Sequence, residues 1–108
     1  MSGSGRYAGD APLIEQPCAC FLIPPSDGLD AIHVFFIDRS SGVGYVTIIC
    51  FGQAWTAFFG AMNGKTIREF FCGCDVEYLT GKMSRSKEGK ADRKYLAKII
   101  GAAKAALA

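Results

Sequence analysis

The chain has 108 residues, half of them hydrophobic, and a formal net charge of +2; this length supports one core burying roughly two thirds of the unfolded surface and leaves no room for a second domain. No uninterrupted apolar run approaches the roughly 18 residues that cross a bilayer, and the start from Met1 to Arg6 lacks a secretory apolar stretch, which points to a soluble cytoplasmic protein with no membrane partner. The five cysteines are an odd number and are expected to stay reduced in that compartment, which excludes a disulfide framework.

Residues 1–16 are rich in Gly, Ser, Ala and charge without periodicity and read as a flexible arm, leaving residues 17–108 as a single α+β domain. Residues 18–23 form a short apolar run stopped by Pro24 and Pro25, which fits an edge or first strand followed by a turn through Ser26, Asp27 and Gly28. Residues 31–37 and 43–51 are β-branched and aromatic runs joined by a four-residue hairpin loop, 39–42. Gly52 and Gln53 suit a type II′ turn that would fold residues 54–60 back on the preceding strand, and Asn63 with Gly64 ends the meander.

If Asp38 faces Val43 and Phe51 faces Ala54, period-2 alternation sorts the side chains onto two faces. One carries His33, Phe35, Ile37, Val46, Ile48, Cys50, Trp55, Ala57 and Phe59; the other carries Ile32, Val34, Phe36, Tyr45, Thr47, Ile49, Phe51, Thr56 and Phe58. Trp55 is expected on the face that takes the helices. Neither face is polar enough for solvent, so the second should be covered by the N-terminal segment, a second subunit or another partner.

Helical spacing begins after the Asn63 turn. Thr66 and Glu69 have the form of a capping box, and Ile67, Phe70, Phe71 and Cys74 then repeat on one side. Asp75 caps a second short helix from Val76 to about Met83, with Tyr78, Leu79 and Met83 inward. Residues 84–90 are polar. From Ala91 a final helix places Tyr95, Leu96, Ile99, Ile100, Ala103 and Leu107 inward, with Lys90, Lys94 and Lys98 in an i, i+4 row outside. The expected fold is therefore α+β: a three- to four-stranded antiparallel meander, then two short helices and a C-terminal helix on one sheet face.

No catalytic set emerges from the residues. There is no glycine-rich phosphate loop, no nucleophile elbow and no zinc-protease helix. A cysteine nucleophile would need His33, the single histidine, as its base; in the register above His33 shares a face with Cys50 without opposing it, and packing of the imidazole beside Trp55 is the plainer reading. Cys18/Cys20 and Cys72/Cys74 invite a metal reading with Cys50 and His33 as spare ligands. Structural zinc favours wider Cys spacing, however, and residues two apart on a helix diverge by roughly 200°. Buried apolar cysteine is the favoured reading, with no metal and no cofactor expected.

Two contact surfaces remain. Phe36, Tyr45, Phe51 and Phe58 on neighbouring strands are candidate partner-binding residues, and a two-fold dimer through that face would bury them. The charge is also uneven: residues 1–64 carry five acids against Arg6 and Arg39, a balance of −3, whereas residues 65–108 carry ten Lys and Arg against five acids, a balance of +5. Lys82, Arg85, Lys87, Lys90, Lys94 and Lys98 are accordingly candidates for nucleic-acid contact, set against the alternative of a solvated lysine-rich surface.

The run from Ile49 through Cys50, Phe51 and Gly52 to Met62 and Asn63, with Ala54, Trp55, Thr56 and Ala57 at its centre, continues through Thr66, Glu69, Cys74, Asp75, Tyr78 and Leu79. It resembles a family of small proteins encoded by tailed phages and prophages, over residues 32–83 and again at Lys94, Tyr95 and Leu96. The resemblance implies a genomic context and carries no catalytic residue. By analogy, small phage proteins are often non-enzymatic accessory factors that bind host or phage proteins, including defence components such as CRISPR complexes.

Overall fold

The computed structural model describes residues 12–108; most of the expected N-terminal arm, residues 1–11, lies outside the described residues, and residues 12–18 run without regular structure. Four strands follow in order, β1 (Ala19–Ile23), β2 (Ile32–Ser40), β3 (Val43–Cys50) and β4 (Gln53–Phe59), and then three helices, α1 (Ile67–Gly73), α2 (Val76–Met83) and α3 (Lys90–Leu107). The sheet is an antiparallel meander in the order β1-β2-β3-β4, so the expected α+β architecture is observed.

Three tight turns share one backbone solution, with two successive residues at positive φ. Asp27 and Gly28 lie at 48° and 76°, Phe51 and Gly52 at 53° and 73°, and Asn63 and Gly64 at 55° and 78°. This is the signature of the type I′ turn, whose twist matches that of flanking strands. The β3–β4 connection is therefore not the expected type II′ turn at Gly52 and Gln53: Phe51 and Gly52 form the loop, and Cys50 faces Gln53. A phenylalanine in the left-handed region is sterically disfavoured, and here it packs its ring against Tyr95 of α3, with centroids 6.1 Å apart.

The strand registers correct the expected face assignment. Ile48 lies opposite Trp55, a shift of two residues from the expected β3–β4 pairing, and a shift of two leaves every side chain on its face. Between β2 and β3 the shift is one residue. Asp38 faces Gly44 rather than Val43, Ser40 faces Val43, and the register breaks between Asp38 and Ser40, leaving Arg39 as the extra residue. A slip of one turns the whole strand over. Ile32, Val34 and Phe36 thus point into the core, and His33, Phe35 and Ile37 point away from it.

All three helices cover the face bearing Val34, Phe36, Val46, Ile48, Trp55 and Phe59. Helix α1 starts with the expected capping box: Thr66 Oγ1 accepts from the Glu69 amide and Glu69 accepts from the Thr66 amide. A third contact ties that helix to the sheet, because the Ile67 amide donates to Asp38 Oδ1 at 2.8 Å. Asp75 caps α2 through the Tyr78 amide, and the amide of Gly89 donates to Asp92 at the start of α3. Inward positions follow the helical spacing, except that Tyr78 is exposed and Thr80, whose hydroxyl donates to the Val76 carbonyl, is buried in its place. Phe21 and Phe71 both meet Phe36 edge to face, with centroids at 6.1 and 5.6 Å, which seats β1 and α1 on one aromatic hub.

Asp38→Ala removes a charged acceptor from a helix N-terminus and is expected to cost about 1–2 kcal/mol. A lower urea midpoint at unchanged slope is the corresponding measurement.

Candidate functional site

The second face of the sheet has no layer over it among the described residues. Pairing places its side chains in three rows across the strands. Ile37, Tyr45 and Phe58 form the row nearest the β2–β3 hairpin. Cys20, Phe35, Thr47 and Thr56 form the middle row, and Leu22, His33, Ile49 and Ala54 the far one. Leu22 is 62% and Phe58 51% exposed, while Phe35, Ile37, Tyr45 and Ile49 are shielded only in part. The Tyr45 and Phe58 rings lie 5.0 Å apart, and Thr47 and Thr56 satisfy one another through their hydroxyls at 3.0 Å. None of the three rows contains Asp, Glu, Lys or Arg. The segment 18–23 joins the sheet edge as β1 and does not cover this face, contrary to one of the expected coverings.

Two of the four expected partner-binding residues, Tyr45 and Phe58, stand together on the open face. Phe36 does not: it is 2% exposed in the core, as the one-residue slip of β2 requires. Phe51 does not either, since its turn carries it to the α3 side, against Tyr95. Phe35, Ile37 and Leu22 complete the surface and were concealed by the register.

The basic candidates do not form one patch of free cations. The guanidinium of Arg85 donates to Gln53 at 2.7 Å and to Glu88 at 2.9 Å, and it lies 5.1 Å from the Trp55 ring centroid. Lys82 lies over the Tyr78 ring, and Lys98 donates to the Asp27 carbonyl at 2.8 Å. Lys87 is exposed in the loop before α3. Lys90, Lys94 and Lys98 keep the expected row along α3, where Lys94 and Lys98 flank an open groove with Ala91 and Tyr95.

Arg85 belongs to a latch that holds residues 84–89 on the sheet. Trp55 Nε1 donates to both Glu88 oxygens, at 3.0 and 3.3 Å, and the Arg85 amide donates to Glu88 Oε1 at 2.6 Å. Burial by itself would raise the Glu88 pKa, but the hydrogen bonds from Trp55 and Arg85 outweigh it, and the carboxyl titrates below its usual range. A carboxylate depressed in the folded state contributes stability that is present above its unfolded pKa and lost as pH falls through the folded one. The thermal midpoint should therefore drop as pH is lowered from about 5. Glu69, also depressed by its bonds to Thr66, acts in the same direction. Glu88→Gln should flatten the part of that acid slope due to the latch, as melts recorded across the acid range would show.

The cysteines are dispersed. Cys18 and Cys20 are exposed, Cys72 and Cys74 half-buried, and Cys50 buried, so the expectation of buried apolar cysteine fits Cys50 and not Cys18 or Cys20. Cys50 donates to the Asp30 carbonyl at 3.6 Å, and burial, with Asp30 nearby, pushes its thiol pKa up. His33 lies on the opposite face from Cys50 and Trp55, so neither the Cys50–His33 juxtaposition nor packing of His33 against Trp55 forms. Among the described residues, no group of three His, Cys, Asp or Glu side chains is placed to hold a metal ion. No helix of the described residues is long and apolar enough to cross a membrane.

Fold and surface together define a small α+β protein whose helices fill one side of a meander and leave on the other a largely apolar sheet face without Asp, Glu, Lys or Arg. A family model described as a phage family matches residues 14–107, and the chain belongs to that family. The match takes in β1 and all of α3, beyond the segments that carried the sequence resemblance. Neither a curated protein nor a solved structure matches the chain.

Proposed function

We propose that this is a non-enzymatic phage accessory protein that acts in the host cytoplasm by binding another protein through its open sheet face. The observation that carries this reading is the face itself: three rows of mostly apolar side chains without Asp, Glu, Lys or Arg, with Leu22 and Phe58 more than half exposed. Contiguous apolar surface on this scale marks an interaction site, because leaving it in water forfeits the burial that stabilises the rest of the fold. Membership of a phage family agrees with a role in modulating the host, inhibition of a defence system included.

Affinity capture from infected host cells, with Tyr45→Ser as the matched control, tests the reading. A protein retained by the parent and lost by the variant, whether a host protein, another phage protein or an untagged copy of this chain, is the expected result. Equal recovery by both, or no specific recovery, overturns it.

The row of Lys90, Lys94 and Lys98 favours a second reading, phosphate contact with nucleic acid along α3. Phosphate contacts release counterions, so binding to a duplex or single-stranded probe should weaken steeply with salt. A salt-insensitive or absent shift removes this alternative.

A further inference from the structure

We infer that the occupant of the open sheet face is a second copy of this chain, packed face to face about a two-fold axis that lies in the interface along the middle row. The inference rests on the proposal that the face is a protein-binding surface, and it names the partner.

Charge is the first argument. A face lacking Asp, Glu, Lys and Arg offers little to steer a charged partner, whereas a rotation that exchanges the outer rows keeps the two copies of His33, its one basic side chain, apart from each other. The middle row is suited to an axis. Thr47 and Thr56 already share one hydroxyl–hydroxyl bond at 3.0 Å, and the O–H which that bond leaves over can donate to the partner's threonine pair across the axis.

Shape is the second argument. The Tyr45 and Phe58 rings pack together at one end, tilted by 52°, and the far row ends in the small Ala54 on the same strand as Phe58. Rotation about an axis along the middle row keeps each strand over its own copy, reverses its direction and exchanges the outer rows. Phe58 of one protomer then stands over Ala54 of its partner, and Tyr45 over Ile49. The aromatic ridge of each protomer thus falls on the lower end of the other, with strands nearly aligned as sheets pack in sandwiches.

Area is the third argument. Strands of 5, 9, 8 and 7 residues, about 4.8 Å apart and rising about 3.3 Å per residue, project roughly 460 Å². Because accessible surface exceeds its projection, two such faces reach the total of about 1,000 Å² that a specific interface should clear.

Sedimentation equilibrium of the full chain tests the inference. The parent at about 50 μM should give twice the chain mass of 11.6 kDa. Ala54→Arg puts bulk and charge where the partner's Phe58 would sit, on an exposed position that the monomer fold tolerates, and should weaken association at least about tenfold while the circular dichroism spectrum is unchanged. Phe58→Ser removes the ridge instead of filling the hollow and should have the same effect, which keeps the test decisive if the arginine variant does not fold. A monomeric parent, or a dimer that neither folded variant weakens, overturns the inference. A monomeric parent that still captures a host protein through Tyr45 would overturn the second copy alone and leave the broader reading standing.

Discussion

Trp55→Ala is expected to cost about 3–5 kcal/mol, through lost burial and the cavity left behind. The side chain is 2% exposed and sits under the helices, opposite Ile48. Its loss also removes the donor that holds Glu88, so residues 84–89 keep only the bond from Arg85 to Gln53 as a hydrogen-bonded anchor to the sheet. Set against a total stability of about 5–15 kcal/mol for a domain, the change consumes a large share and should lower the melting midpoint by about 15 °C or more. Trp55→Phe separates the two contributions, since it keeps most of the apolar volume and forfeits the Nε1 bond; about 1–2 kcal/mol is expected for that. A Trp55→Ala protein that melted like the parent and lost a partner instead would make Trp55 a contact residue and contradict its place in the core.

Gly44→Ala should destabilise by about 1–3 kcal/mol, and Gly44→Val by more, although replacing glycine inside a strand ordinarily helps. A Cβ built on Gly44 would lie 2.7 Å from the Ile37 carbonyl oxygen and 3.1 Å from Ile67 Cβ. The first is backbone and the second is the branch point of the residue that opens α1, so neither can rotate aside. The helix would have to lift, which would also lengthen the bond from the Ile67 amide to Asp38. Urea midpoints for Gly44→Ala and Asp38→Ala, alone and combined, should show non-additive losses because both act on the same joint between α1 and the sheet. A stabilised Gly44→Ala protein would mean that α1 does not approach β3 this closely.

The local devices of this fold are written in neighbouring residues, which is why they are legible. Thr66 with Glu69 and Asp75 with Tyr78 are caps made within three positions, and the Asp-Gly and Asn-Gly turns need only their own two residues. The type I′ turn at Phe51 and Gly52 was misplaced by one residue, because phenylalanine is a poor occupant of the left-handed region and Gly-X is the commoner signal. Its side chain is turned to α3 by a contact with Tyr95, more than forty positions away.

The candidate site was half legible for a different reason. In β2 the two alternating sets, Ile32, Val34 and Phe36 against His33, Phe35 and Ile37, are nearly equal in apolar character, so periodicity could not say which enters the core. The bulge at Arg39 decided it, because one extra residue in a hairpin inverts a strand. In β3 and β4 the expected pairing was off by two residues, and Tyr45, Phe58 and Trp55 kept their faces. The order of elements, the helix caps and the apolar character of both sheet faces are thus readable from the residues alone. Which half of β2 shares the open face with Tyr45 and Phe58 is instead fixed by long-range packing, since that choice rests on closing a hairpin under α1, where Asp38 must meet the Ile67 amide and Gly44 must leave room for the Ile67 side chain.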